Sequence, residues 1–192
     1  MSSAVSTPFV SLEDFLEMEP EDGVRLEWCA GIVHAMSGGS PDHSRLGARV
    51  IGALLSIAGE DCTVFDANAD LWVDAAQFFG RADASLVCGA LQVHSVKRGN
   101  RTLGEAITNP VVIVEVLSPS TETRDRGEKF VAYKQLMSLE EYVLVSQDQR
   151  HVEVRRRTSG GWRSDVVAGE GTIAIHGAPV DLDAIYGRQP RA

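Results

Sequence analysis

Hydrophobic and polar positions along this chain follow two periods, and the switches between them mark its elements. Ser11-Leu-Glu-Asp14 reads as a capping box opening a short amphipathic helix, which Pro20 stops. Val24–Cys29 and Ile32–Met36 alternate with period two around a two-residue turn containing Gly31, the pattern of a β-hairpin. Gly38 and Gly39 break that pattern. Ser40-Pro41-Asp42 opens a longer helix to about Ala58, with Leu46, Val50, Ala53, Leu54 and Ile57 on one stripe. Two strands are predicted next, Cys62 to Val73 and Arg81 to Cys88, followed by a polar loop over 89–108.

The strongest strand signal is Val111-Val-Ile-Val-Glu115-Val-Leu117, entered through Asn109-Pro110 and left through Ser118-Pro119-Ser120. An apolar run of this length between turn signals predicts a strand buried on both faces. Alternation puts Val111, Ile113, Glu115 and Leu117 on one face and Val112, Val114 and Val116 on the other. Thr121–Asp125 opens a helix to Met137. Strands recur at Glu141–Ser146, His151–Arg157, Trp162–Ala168 and Thr172–His176, before a short terminal turn at Leu182–Tyr186. The order predicts a layered α/β (α+β) fold in one domain over residues 1–192: a mixed central β-sheet flanked by helices, with an N-terminal β-hairpin extension.

Composition changes this picture little. Hydrophobic residues make up 44% and charged residues 23%, values of an ordinary globular chain. No apolar stretch approaches the roughly 20 residues of a membrane helix, and Met1–Pro8 lacks the pattern of a secretory signal. The net charge of −9 argues against non-specific coating of nucleic acid, which runs on Lys and Arg. Two local basic clusters stand out, Lys97–Arg101 and Arg155-Arg156-Arg157; the second reads as a solvated hairpin end. Cys29, Cys62 and Cys88 are far apart and follow no metal-ligand spacing, nor do the five histidines. We therefore expect no structural zinc, Cys88 packed as a small apolar group, and a reducing cytoplasm.

The candidate chemistry starts from Glu115. A lone carboxylate in an apolar strand is costly to bury unless a partner or a metal ion meets it. Asp83, in the strand predicted over Arg81–Cys88, is a second acid that a neighbouring strand could supply. Two carboxylates and a backbone carbonyl, that of Val116, suit Mg²⁺, which takes few protein oxygens and completes its shell from water and phosphate. On the following helix Asp125, Lys129 and Tyr133 recur at i, i+4 and i+8, with Phe130, Val131, Leu136 and Met137 as the expected packing side. Spacing alone leaves Lys129 open: a cation beside the two acids, or half of a surface ion pair with Asp125. His43 could touch the site or be a structural or exposed histidine. Asp70 and Asp74 read as surface groups, and Ser118 and Ser120 as residues ending the strand and capping the helix.

At this point the residues match a known pattern. Arg25-Leu-Glu27…Gly31, Ser40-Pro-Asp-His43, Arg81-Ala-Asp83, Asn109–Thr121 and Arg124-Asp-Arg-Gly-Glu-Lys129…Tyr133 resemble the Uma-type restriction endonucleases of the PD-(D/E)XK nuclease superfamily, over most of the chain. The resemblance implies a restriction-endonuclease-like core and a Mg²⁺ (or Mn²⁺) dependent endodeoxyribonuclease, with DNA as substrate and commonly a homodimer. Residue by residue, it makes Asp83 and Glu115 metal ligands, Lys129 the catalytic lysine and Glu27 an auxiliary acid. The chain departs from the superfamily at Leu117, where a lysine usually stands, and at Ala82, where a proline does. An alternative expectation is an inactive binding or assembly module on the same fold, tied to mobile elements.

Overall fold

The computed structural model describes residues 9–37 and 39–187; the expectations for Met1–Pro8 and for Gly38 lie outside them. Helix α1 (Leu12–Leu16) starts where predicted, with Ser11 Oγ accepting from the Asp14 amide. Strands β1 (Val24–Cys29) and β2 (Ile32–Ser37) form the expected hairpin. Its turn residues Ala30 and Gly31 both take positive φ, +47° and +89°, as a two-residue I′ turn requires. Helix α2 (Pro41–Ile57) is capped by Ser40 and buries Leu46, Val50, Ala53 and Leu54.

The strand predicted over Cys62–Val73 proves to be bent in two, and the one predicted over Arg81–Cys88 begins at Ala84, after a further strand at Phe78–Arg81. Strand β3 (Cys62–Asp66) belongs to one sheet and β4 (Asp70–Val73) to another; Asp66 holds the bend by accepting from the Asn68 amide and side chain, each at 2.9 Å. After a 3₁₀ turn at Asp74–Ala76, β5 (Phe78–Arg81) and β6 (Ala84–Cys88) split in the same way, leaving Ala82 and Asp83 at the crossing. The segment predicted as a loop folds as a hairpin of β7 (Val93–Arg98) and β8 (Arg101–Ile107). Its signal was Gly99-Asn100, a two-residue hairpin turn in which Gly99 has φ +61°. Polar residues on its exposed edge masked the strand pattern.

The buried strand is β9 (Val112–Leu117). The helix after it comprises α3 (Glu122–Arg124), a π-helical turn (Asp125–Lys129) and α4 (Phe130–Tyr133), and ends short of the predicted Met137. Then come β10 (Glu141–Ser146), β11 (His151–Thr158) and β12 (Gly161–Ala168) as predicted. The strand expected to end at His176 is half of a hairpin, β13 (Thr172–Ile175) with β14 (Ala178–Asp181), before α5 (Leu182–Tyr186).

Two six-stranded sheets result, in the orders β2-β1-β5-β4-β8-β7 and β12-β11-β10-β9-β6-β3. On one face of β9, Val112, Val114 and Val116 pack with Leu46, Val50 and Leu54 of α2 and with Val143 and Val145. On the other, Ile113 and Leu117 pack with Tyr133, Leu139, Tyr142 and Leu144, and with Leu71 and Phe78 of the first sheet. The alternation read from the sequence thus assigns each residue to its core. The predicted mixed α/β (α+β) fold is what forms: the mixed sheet carrying β9 is flanked by α2 on one face and by the α3–α4 segment on the other, and the sheet carrying the N-terminal hairpin packs against that second face.

Two further expectations are corrected. Cys62 and Cys88 form a disulfide, because antiparallel pairing of β3 with β6 sets them directly opposite, Cα atoms 4.0 Å apart. Arg155, Arg156 and Arg157 are not a solvated end. Arg155 lies over the Phe130 ring and Arg156 pairs with Glu141 and Asp165. Arg157 donates to the carbonyls of Lys134, Leu136 and Leu139, taking up acceptors that a helix end leaves unpaired.

Candidate active site

The pairing of β6 with β9 ends at Ala84 opposite Val114. Beyond it β6 turns towards the other sheet, so the next amide on that edge of β9 lacks a backbone acceptor. Asp83 supplies one: its Oδ2 accepts from the Val116 amide at 2.7 Å. The N–H and C=O of one strand residue leave the same edge, so the Val116 carbonyl also faces the Asp83 side. Glu115 points to the other face of β9, with Ile113 and Leu117, and is 3% exposed.

Strands β9 and β10 are parallel, and a parallel pair needs a crossover on one face of the sheet. That crossover, α3 to α4, covers the Glu115 face. Asp125, Lys129 and Tyr133 turn inward and are buried, while Val131 and Met137 of the expected packing side are 51% and 89% exposed. The surface ion pair left open by spacing is therefore excluded. Lys129 Nζ donates to the Arg81 carbonyl at 2.8 Å and lies 2.6 Å from Glu115 Oε1, 3.3 Å from Glu27 Oε1 and 3.6 Å from Asp125 Oδ1. The Asp125 carbonyl in turn accepts from the Tyr142 hydroxyl at 2.8 Å.

Burial pushes the Glu115 carboxyl well above its ordinary value, the Lys129 charge opposing and the Asp125 and Asp83 charges adding to the rise. For Lys129, burial works against the charged form, but Glu115, Glu27 and Asp125 outweigh it and raise the ammonium well above its ordinary value. Glu27, expected as an auxiliary acid, is 1% exposed on β1 and closes the group from the first sheet. It accepts from the Arg81 amide at 3.2 Å and pairs with Arg124. Burial would raise its carboxyl, yet Lys129 and Arg124 hold it below the ordinary value. Gly80 leaves room for it: a Cβ there would lie 3.1 Å from Glu27 Cδ and 2.6 Å from Phe78 Cζ.

A cleft of about 650 Å³ opens beside these groups, lined by Asp83, Glu115, Val116 and Asp125, the start of α2 and the β3–β4 bend. His43, in the first turn of α2, faces it with Nε2 3.4 Å from Asp83 Oδ2. The hydrogen bond to Asp83 raises the imidazole above its ordinary value against the effect of burial, and the Val116 carbonyl adds to the rise. Gly39 permits this pose, since a Cβ there would meet the ring at 2.8 Å. Ser118 and Ser120 line the same cleft. They end β9, but the amide of Glu122 is met by the Ser118 carbonyl, not by a capping side chain.

The donor set suits a hard divalent cation: carboxylate and carbonyl oxygens at one cleft. Four carboxylates, Glu27, Asp83, Glu115 and Asp125, face two permanent cations, Lys129 and Arg124, which leaves an excess of two negative charges. Tyr133 Oη is buried there without a hydrogen-bond partner among the described residues. The carboxylate oxygens are not drawn into a tight trio; among the described residues, three His, Cys, Asp or Glu ligand atoms lie within 4.8 Å of one another only at Cys62, Cys88 and His176. That grouping joins residues that no ligand spacing in the sequence connects. Pairing of β3 with β6 and the β13–β14 turn assemble it, and sequence spacing does not register such contacts.

Of the remaining candidates, Asp70 pairs with Arg81 at 2.6 Å, and Asp74 is exposed in the 3₁₀ turn. Arg98 and Arg101 of the first basic cluster pair with Asp14 and Glu17 of the α1 region, away from the cleft. Arg124 was missed; its signal was an arginine one turn before Lys129, in a helix whose polar side is the buried one. Among the described residues no helix is long and apolar enough to cross a membrane.

Comparison with known proteins places this geometry. Residues 12–183 match the Uma2 family, described as "Putative restriction endonuclease". The "Uncharacterized protein slr1290" of Synechocystis sp. is 30% identical over 161 residues, 83% of this chain and 80% of that protein. The "Uncharacterized protein sll1609" of the same organism is 25% identical over 154 residues, 80% of this chain and 84% of that protein. A crystal structure described as "a putative nuclease belonging to DUF820", from Anabaena variabilis, superposes with a TM-score of 0.71 at 12% identity, covering 92% of this chain and 97% of that one. At that identity the likeness is one of fold.

Proposed function

The chain belongs to the Uma2 family of restriction-endonuclease-like nucleases, and on that premise we propose that it is a Mg²⁺-dependent endodeoxyribonuclease whose ion is held by Asp83, Glu115 and the Val116 carbonyl. The observation that carries the reading is their placement: both acids and Val116 line one cleft, with Lys129 buried against Glu115. A divalent ion held there supplies Lewis-acid polarisation of a phosphate oxygen and a more acidic bound water.

The chain's own residues do the positioning. Lys129, engaged by Arg81, Glu115, Glu27 and Asp125, fixes the Glu115 carboxylate and offsets the excess negative charge where a phosphodiester must approach. Glu27 braces Lys129 from the first sheet and is itself held by Arg124 of α3. Asp83 is oriented by the Val116 amide and by His43, and α2 and the β3–β4 bend form the walls of the cleft that a phosphodiester would enter. DNA is the substrate in this reading, and a homodimer would present two such clefts to the two strands.

The test is nicking of supercoiled plasmid in Mg²⁺ or Mn²⁺, comparing wild type with Asp83→Asn and Glu115→Gln after circular dichroism has verified their folds. A loss of at least about 10²-fold in both variants is expected, the size of losing a preorganised electrostatic contact. Equal nicking by all three proteins refutes the assignment. One observation favours the inactive binding module instead: Lys129 is fully engaged within the protein. Absence of nicking by folded wild type, with retained DNA binding, would select that reading.

A further inference from the structure

The disulfide between β3 and β6 sits beside a histidine that the nuclease reading does not use. We propose that, once the Cys62–Cys88 disulfide is reduced, Cys62, Cys88 and His176 form a site for a d-block divalent cation of the zinc type, with a water as fourth ligand. The site stands apart from the cleft, and the proposal is independent of the nuclease reading.

Backbone pairing keeps the two sulphurs together whether or not they are bonded. Gly89 N donates to the Asp61 carbonyl at 2.8 Å, which makes Cys62 and Cys88 a non-hydrogen-bonded pair with side chains on one side of the sheet. His176 Nε2 lies 3.6 Å from Cys88 Sγ, and one ligand atom from each of Cys62, Cys88 and His176 lies within 4.8 Å of the others. Tetrahedral zinc with bonds of about 2.3 Å to sulphur and about 2.0–2.1 Å to nitrogen separates those two ligands by about 3.6 Å.

The histidine is placed by a second device. His176 and Gly177 form the β13–β14 turn with φ +49° and +74°, an I′ geometry that favours Asn or Gly at its first position. The turn is held by the His176 amide donating at 2.8 Å to Glu141 Oε2, a buried carboxylate that pairs with Arg156. A conformation uncommon for histidine is therefore fixed from below, and it aims the ring at the cysteine pair. Two thiolates and an imidazole suit zinc far better than Mg²⁺.

The redox step balances with a dithiol or phosphine as the reductant: the S–S bond takes two electrons and two protons to give two thiols, and the reductant is oxidised. Metal binding then releases both thiol protons as the sulphurs ligate as thiolates. The bonded sulphurs cannot do this, so the disulfide is the closed form of the site.

The experiment uses full-length Cys29→Ser protein, to remove the third thiol, reduced with a phosphine, desalted anaerobically and titrated with Co²⁺. We expect two titratable thiols, one Co²⁺ more per chain than the oxidised protein binds, a thiolate-to-metal charge-transfer band with tetrahedral d–d absorption, and neither band in the oxidised protein. His176→Gln should weaken uptake at least tenfold and Cys88→Ser should abolish the charge-transfer band, while Glu115→Gln should leave both spectra unchanged. Failure of the reductant to expose the thiols, lack of the charge-transfer band in reduced protein, or equal affinity in the His176 variant each overturns the proposal.

Discussion

Replacing Lys129 with methionine keeps the length of the side chain and removes its charge, and the structure sets the size of the consequence. The ammonium is 3% exposed and lies 2.6, 3.3 and 3.6 Å from carboxylate oxygens of Glu115, Glu27 and Asp125. At an effective dielectric of about 20 these contacts are worth about 6, 5 and 5 kcal/mol before desolvation. Desolvation of each ion takes back several kcal/mol, so the net value of the group is far smaller than its gross attraction. Removing one partner leaves buried charge uncompensated, and such changes destabilise by about 3–5 kcal/mol. For a chain of this length that is about 6–20 °C in Tm. Urea unfolding of Lys129→Met against wild type measures it. Because Glu115 is raised above its ordinary value of 4.5, it takes up a proton readily in the folded variant. The deficit should therefore narrow as pH falls towards 4.5 and shrink in Lys129→Met/Glu115→Gln. A deficit under about 1 kcal/mol at neutral pH, the value of an exposed helical pair, would refute the argument.

Three further outcomes follow from other parts of the fold. For Glu153, burial is outweighed by hydrogen bonds from Arg155, Ser164 and Arg126, which hold its carboxyl at about 2. A depressed carboxyl adds stability that is complete above 4.5 and lost as pH falls towards 2; Glu153→Gln should cost about 1–2 kcal/mol at pH 7, after discounting for solvent screening, and nothing near pH 2, read from urea midpoints across that range. Gly80→Ala should destabilise by about 1–3 kcal/mol in urea unfolding, since its Cβ meets buried Phe78 at 2.6 Å and Glu27 at 3.1 Å; a neutral result would mean both side chains can move. Arg157→Ala removes a donor from the carbonyls of Lys134, Leu136 and Leu139 in the segment after α4 and uncovers Trp162, so a loss of about 1–3 kcal/mol and a change in tryptophan emission are expected, against neither if the arginine were solvated.

Much of the architecture was legible because local signals agreed with tertiary ones. The α2 stripe and the faces of β9 landed in the cores that alternation assigned them. The bends at 67–69 and 82–83 were not legible, because crossing from one sheet to another leaves hydrophobic alternation almost unbroken. The same crossing is what gives Asp83 its place at the Val116 amide, so the pairing of acids was readable as a suspicion and the geometry was not. Lys129 is the instructive residue. Its spacing with Asp125 fits a surface ion pair and a buried cluster equally, and only the parallel β9–β10 crossover, which turns that helix face inward, decides between them. The β7–β8 hairpin hid behind polar edge residues, and the Cys62–Cys88–His176 grouping arises from contacts 26 and 88 residues apart in the chain, beyond any spacing rule.

The central claim, a divalent ion held by Asp83 and Glu115, is tested most directly by anomalous diffraction from crystals soaked in Mn²⁺. The account predicts one strong peak in the cleft, touching both carboxylates and the Val116 carbonyl, and its disappearance in Asp83→Asn crystals. A peak that persists in the variant, or that forms only away from these residues at saturating Mn²⁺, would contradict it.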